Sequence, residues 1–202
     1  MAAKPEQRTR RRLSTEERRE QLLSVGARLF AQSPYDDVWI EQVAEIAGVS
    51  RGLLYHYFPT KRDFFAAVVQ HESARMLRLM AAVPGIPVRE QIDTGIDRFL
   101  AYVENHAEGF RAFHRAEAAG DPVVREVYRT GMAGHERQIM DAVLADPAMA
   151  PLVGDTPALR LAVHGWLAFM VAVCLDWVEN PELTRAQVHA LCARALLGAL
   201  TP

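Results

Sequence analysis

The chain has 202 residues, 50% hydrophobic and 24% charged, a balance that excludes wholesale disorder and fits one domain or two small ones. Two cysteines are too few for a disulfide framework, which points to a reducing compartment. The net charge of −2 hides an asymmetry: residues 1–62 hold 11 Lys+Arg against 8 Asp+Glu (+3), and residues 63–202 hold 12 against 17 (−5). Within the first twelve residues Lys4, Arg8, Arg10, Arg11 and Arg12 face only Glu6. A basic head on an acidic body implies a polyanion partner for the head, with Arg10, Arg11 and Arg12 as an arm for a minor groove or phosphates. The alternative is a solubilising tail. With no apolar stretch at the N-terminus, no secretory leader is expected, and the predicted location is the cytoplasm. The run from Leu161 to Leu175 is nearly uncharged but only 15 residues long, short of the roughly 18 of a membrane span, so it reads as a core helix.

In chain order, apolar residues recur at helical spacing with prolines between the periodic segments, and no run alternates with period two. The first helix starts at Ser14, where Ser14-Thr15-Glu16-Glu17 forms a capping box, and ends at Ser33-Pro34. Short helices follow over about Ile40–Ala47 and Arg51–Phe58. Thr60 caps a fourth, about Lys61–Val83, which would span roughly 34 Å at 1.5 Å per residue. Later helices read about 88–106, 108–119, 122–145, 157–179 and 183–199. The expectation is an all-α chain of about nine helices: an arm over 1–13, a DNA-binding head over 14–62 and a helical body over 63–202.

Residues Ile40 to Pro59 have the spacing of a helix-turn-helix. Val43 and Ala47 share an inner face, Ala44 is small where a second helix crosses, Gly48 supplies a left-handed turn, and Ser50 can cap the next helix. On a helical wheel Leu54 and Phe58 form the buried side of that next helix, while Gly52 and His56 lie opposite, between Arg51 and Tyr55 on one edge and Leu53 and Tyr57 on the other. Such a face suits a major groove.

The stretch Ala44-Glu45-Ile46-Ala47-Gly48-Val49-Ser50-Arg51-Gly52-Leu53-Leu54-Tyr55-His56-Tyr57-Phe58-Pro59-Thr60-Lys61 resembles the signature of the tetracycline-repressor (TetR) family of transcriptional regulators. The resemblance covers about residues 14–65. It implies an all-helical homodimer that binds a palindromic operator on double-stranded DNA and changes its grip when a small molecule enters the C-terminal domain. It further implies that Arg51, Gly52 and Leu53 face the groove, that Tyr55 and His56 lie near bases or phosphates, and that Tyr57 and Lys61 touch the backbone. Mainly structural packing is the alternative for Tyr55 and Tyr57. Two positions depart from the family pattern. Leu53 stands where many relatives have Thr. Trp39 stands where Ser or Thr usually caps the second helix, so Asp36 or Asp37 is expected to cap it instead, or its start to fray.

In the body, helix 157–179 carries a bulky stripe and, beside it, Leu161, Gly165, Ala168, Ala172 and Leu175. The last helix offers Val188, Leu191, Ala195 and Ala199. Small residues let helix axes approach closely, so these two helices are expected to pair with their copies in a second chain, the alternative being an intrachain core. Phe99, Tyr102, Phe110, Phe113, His114, Tyr128, Met132, Trp166, Phe169 and Met170 are candidate walls for a small, mostly apolar effector, against the alternative of plain core. The seven histidines lack metal-ligand spacing, and no phosphate loop or nucleophile elbow is present, so no metal, cofactor or enzymatic activity is expected. The expected function is a DNA-binding regulator, more a repressor than an activator. The rivals are a regulator whose body serves protein partners and a helical enzyme or carrier.

Overall fold

A computed structural model describes residues 13–83 and 85–200. The described residues form ten α-helices, with no strand among them: α1 (Thr15–Gln32), α2 (Ile40–Ala47), α3 (Arg51–Tyr57), α4 (Lys61–Leu79), α5 (Val88–Asn105), α6 (Ala107–Ala118), α7 (Pro122–Ala145), α8 (Ala150–Val153), α9 (Pro157–Glu179) and α10 (Arg185–Leu200). A 3₁₀ turn, Tyr35–Asp37, joins α1 to α2. The all-α expectation holds, with one helix more than the sequence implied. The extra element, α8, is a single turn inside the proline-containing break after α7, too short to leave a periodic signal.

Local chemistry sets most boundaries. Ser14 and Glu17 make the capping box in both directions: Glu17 N–H donates to Ser14 Oγ at 3.1 Å, and Ser14 N–H to Glu17 Oε2 at 2.8 Å. Trp39 is the N-cap residue of α2, and its indole carries no acceptor. Neither Asp36 nor Asp37 replaces it, because both are in the 3₁₀ turn; instead Gln42 Oε1 accepts from Trp39 N–H at 3.2 Å. α4 stops at Leu79 instead of Val83, which makes it roughly 28 Å long. Its last carbonyls are taken from outside the helix, Leu79 O by Arg98 and Leu77 O by Gln138 Nε2.

Two apolar cores form. Under the helix-turn-helix, Leu22, Leu23 and Phe30 of α1 pack with Val43, Leu54, Phe58 and with Phe64, Phe65 and Val68 of α4. Ala112 of α6 and Val124 of α7 complete this cluster, so the head's core runs past residue 62 into helices of the body. α1 crosses α4 closely at Gly26, where a Cβ would stand 2.3 Å from Phe64 Cζ. The second core gathers Leu100, Val103, Val143, Val163, Trp166, Met170, Cys174 and Leu196 from α5, α7, α9 and α10. Polar ties bridge head and body: Arg62 pairs with Asp121 at 2.7 Å, and His71 Nε2 lies 2.6 Å from Glu20 Oε1. Burial opposes ionisation of Asp121, but bonds from Val124 N–H and Arg62 outweigh it and hold the carboxyl below its usual range. α9, with a mean hydropathy of 1.8, is long and apolar enough to cross a membrane, yet Leu159, Val163, Trp166, Met170 and Trp177 bury its bulky stripe in the body core.

Candidate nucleic-acid interface and body cavity

Gly48 closes α2 with φ +66, a backbone that a Cβ would oppose, and sends the chain into α3. Ser50 Oγ accepts from Leu53 N–H at 3.1 Å and fixes the first turn of α3. Leu54 is fully buried and Phe58 nearly so; these two anchors turn the opposite face of α3 to solvent. On that face Arg51, Gly52, Leu53, Tyr55 and His56 are exposed. The Arg51 side chain makes no hydrogen bond or ion pair with any described residue, though its charge acts on Glu41 and Tyr55, and nothing lies within 4 Å of a Cβ placed on Gly52.

The two tyrosines are engaged within the protein. The Tyr55 hydroxyl donates to Glu41 Oε1 at 2.8 Å, which ties α3 to α2, raises the phenol's pKa and lowers that of Glu41. Tyr57 is half-buried, with its hydroxyl on Thr15 O at 3.3 Å at the start of α1. Lys61 rests over the Tyr35 ring, 4.5 Å from its centre, and donates to Asp36 O at 3.2 Å. Neither contact neutralises its charge. Arg10, Arg11 and Arg12 lie outside the described residues.

On the body, Leu161 (72% exposed), Gly165, Ala168 and Ala172 form an open face of α9, with Leu175 half-buried at its end. Leu191, Ala195 and Ala199 are likewise exposed on α10. Val188 departs from the expected seam: it is fully buried in the body core, because the side of α10 that carries it faces α5 and α9.

Between the head and this face lies a cavity of about 260 Å³, walled by α1, α4, α5, α6, α7 and α9. Of the expected wall residues, Phe99, Tyr102, Phe110, Phe113, His114, Tyr128, Met132, Trp166 and Met170 line it, whereas Phe169 packs on the body core on another side of α9. Burial alone pushes His114 down to about 4, so its imidazole is uncharged at neutral pH. Tyr102 stacks on His106 at 4.2 Å, and its phenol is raised by burial and then by Glu72. Glu72, Ser73, Met76, His135 and Gln138 also line the cavity and were missed in the sequence. Their signal was spacing: Phe65, Val68, Glu72 and Met76 continue one face of α4, and Tyr128, Met132, His135 and Ile139 one face of α7.

Two family profiles match the chain: that of bacterial regulatory proteins of the tetR family over residues 22–68, and that of the tetracyclin repressor-like C-terminal domain over residues 88–198. The chain belongs to the TetR family. The HTH-type transcriptional regulator AcrR of Shigella flexneri is 30% identical over 174 residues, 83% of this chain and 81% of that protein. The HTH-type transcriptional activator FasR of Mycolicibacterium smegmatis is 22% identical over 171 residues, 84% of this chain and 76% of the relative. Among solved structures, a TetR-family regulator from Streptomyces coelicolor superimposes with a TM-score of 0.80 at 25% identity, covering 93% of this chain and 82% of that one. As a TetR-family member the protein is a DNA-binding transcriptional regulator and not an enzyme.

Proposed function

We propose that this regulator acts as a homodimer on a palindromic operator and that a small, mostly apolar effector in the body cavity sets its grip. The observation that carries the DNA-reading half is the open face of α3, where Arg51, Gly52, Leu53 and His56 are exposed above buried Leu54. Arg51 reads a guanine edge, Gly52 lets the backbone approach, and Leu53 packs on a thymine methyl. Tyr55 orients α3 through Glu41, while Tyr57 braces it against α1. Lys61, at the positive end of α4, attracts a phosphate.

The exposed faces of α9 and α10 support twofold pairing, since Leu161 and its small neighbours form an apolar strip that a second copy would cover. Pairing sets two α3 helices about one DNA turn, roughly 34 Å, apart. An effector that fits one body conformation better than another shifts the population and so the spacing of the heads. Two occupied grooves exclude other proteins from the same duplex, so the expected sign of control is repression, exerted in the cytoplasm where the DNA lies.

Selection from random duplexes tests the reading, together with light scattering on the purified chain. A dimer that enriches a palindrome is the expected result; a monomer with no sequence preference refutes it. A thermal-shift screen of apolar compounds should return a stabiliser that also changes operator affinity.

A further inference from the structure

The cavity is as selective in charge as in polarity. Among the described residues, no lysine, arginine or aspartate lines it. Glu72, the one carboxylate in the wall among the described residues, is engaged through Oε2, which accepts from Arg75 at 2.9 Å and from the Tyr102 hydroxyl at 3.4 Å; its Oε1 lies 3.2 Å from His71 Nδ1 without a hydrogen bond. Burial keeps the His114 and His135 imidazoles below their usual proton affinity. An anion entering this space surrenders hydration that no cation in the wall replaces. A cation meets only a carboxylate already balanced by Arg75.

Among the described residues of the wall, the His114 imidazole and the Ser73 and Tyr128 hydroxyls make no side-chain hydrogen bond. His114, with Phe110, Phe113 and Tyr128 at 4.5, 5.0 and 5.7 Å, makes no hydrogen bond with any described residue. A neutral imidazole offers one donor and one acceptor, the complement of a hydroxyl or an amide. Gln138 Nε2 is held by Leu77 O at 2.8 Å, and its amide lies against the His135 imidazole, whose proton it helps to hold. From Tyr128, beside His114, to Gln138 the axis of α7 advances roughly 15 Å. Along α4 the same cavity is lined from Phe65 to Met76, and beyond its end by Met80, so the space is long relative to its volume.

From this geometry we infer that the effector is an uncharged, extended, mostly apolar molecule with a hydroxyl- or amide-type end seated at His114, and that organic anions are excluded. The inference rests on the effector reading above. The test is calorimetric titration of the full chain at pH 7.5 with three probes that share one tail: 1-decanol, decanoate and decylammonium. Decanol should bind at least tenfold more tightly than either charged probe. His114→Phe, which keeps a ring but no polar nitrogen, should weaken decanol about fivefold, as loss of one hydrogen bond would. His189→Phe, on α10 outside the cavity wall, should not weaken it.

Decanoate binding within threefold of decanol overturns the inference. So does His114→Phe binding decanol as the unaltered chain does, or His189→Phe losing as much as His114→Phe. Should His114→Phe fail to fold, the ranking of the three probes on the unaltered chain still decides. Binding of none of the three also overturns it. The effector reading itself fails only if the wider screen yields no compound that alters operator affinity, so the two failures are distinguishable.

Discussion

His114 ties a chemical property of the cavity to the stability of the whole chain. Burial lowers its pKa from the usual 6.5 to about 4. The unfolded chain therefore binds a proton at this site near pH 6.5, while the folded one resists it until about pH 4. Between those values the unfolded state holds more protons, so stability is complete at neutral pH and falls as pH drops through 6.5. With these two values the loss from pH 7.5 to pH 5 is about 2 kcal/mol, and the limiting loss about 3 kcal/mol. Urea denaturation at both pH values, at one fixed protein concentration, measures it. In His114→Phe this component is absent, so the unaltered chain should lose about 2 kcal/mol more than the variant between pH 7.5 and pH 5. His135 is retained in both chains and does not contribute to the difference. Equal pH dependence would refute the account and would mean that the imidazole is solvated.

Four further outcomes concern the DNA face and the seam. Arg51→Ala should relax base preference at one operator position and cost about 1–3 kcal/mol of binding, read by mobility shift on single-substitution operators. Lys61→Ala should weaken all duplexes alike and reduce the salt slope by about one; an unchanged slope would remove Lys61 from the phosphate contacts. Gly52→Ala meets no neighbour within 4 Å, so the fold should gain up to about 1 kcal/mol while operator binding drops, because the added methyl stands between helix and base edges. A variant that is more stable and binds as well as before would show that α3 does not approach closely there. Ala168→Glu puts a charge on an exposed position of α9; light scattering should report monomers with unchanged helicity, and a persisting dimer would move the seam elsewhere.

What could be seen in the sequence was decided locally. The Ser14 capping box, the left-handed Gly48 and the alternation of Leu54 and Phe58 with exposed residues each depend on neighbours a few positions away, so helix starts and the exposed face of α3 were legible. The end of α4 was not, because the side chains that take its last carbonyls, Arg98 and Gln138, come from α5 and α7. The same holds for the tyrosine hydroxyls: a wheel shows which way Tyr55 and Tyr57 point, but not that Glu41 and Thr15 stand within reach. Val188 and Phe169 misled for a related reason. α9 and α10 are apolar around most of their circumference, so periodicity cannot say which stripe meets the protomer's own core. The cavity's aromatic members were found by residue type, whereas Glu72, His135 and Gln138 are recognisable only once α4 and α7 are seen side by side.

Ala112 and Val124 give the arrangement a further meaning, since they close the core beneath the helix-turn-helix with residues from the body. The DNA reader is not a cartridge that can be lifted out and plugged into another sensor. A hybrid joined after residue 62 would set Leu22, Phe30 and Phe58 against a foreign floor, and a workable exchange must carry Phe64, Phe65, Val68 and a matching α6. Head and body are thus inherited as one unit, and a lineage that remodels α6 also disturbs the ground on which its helix-turn-helix stands.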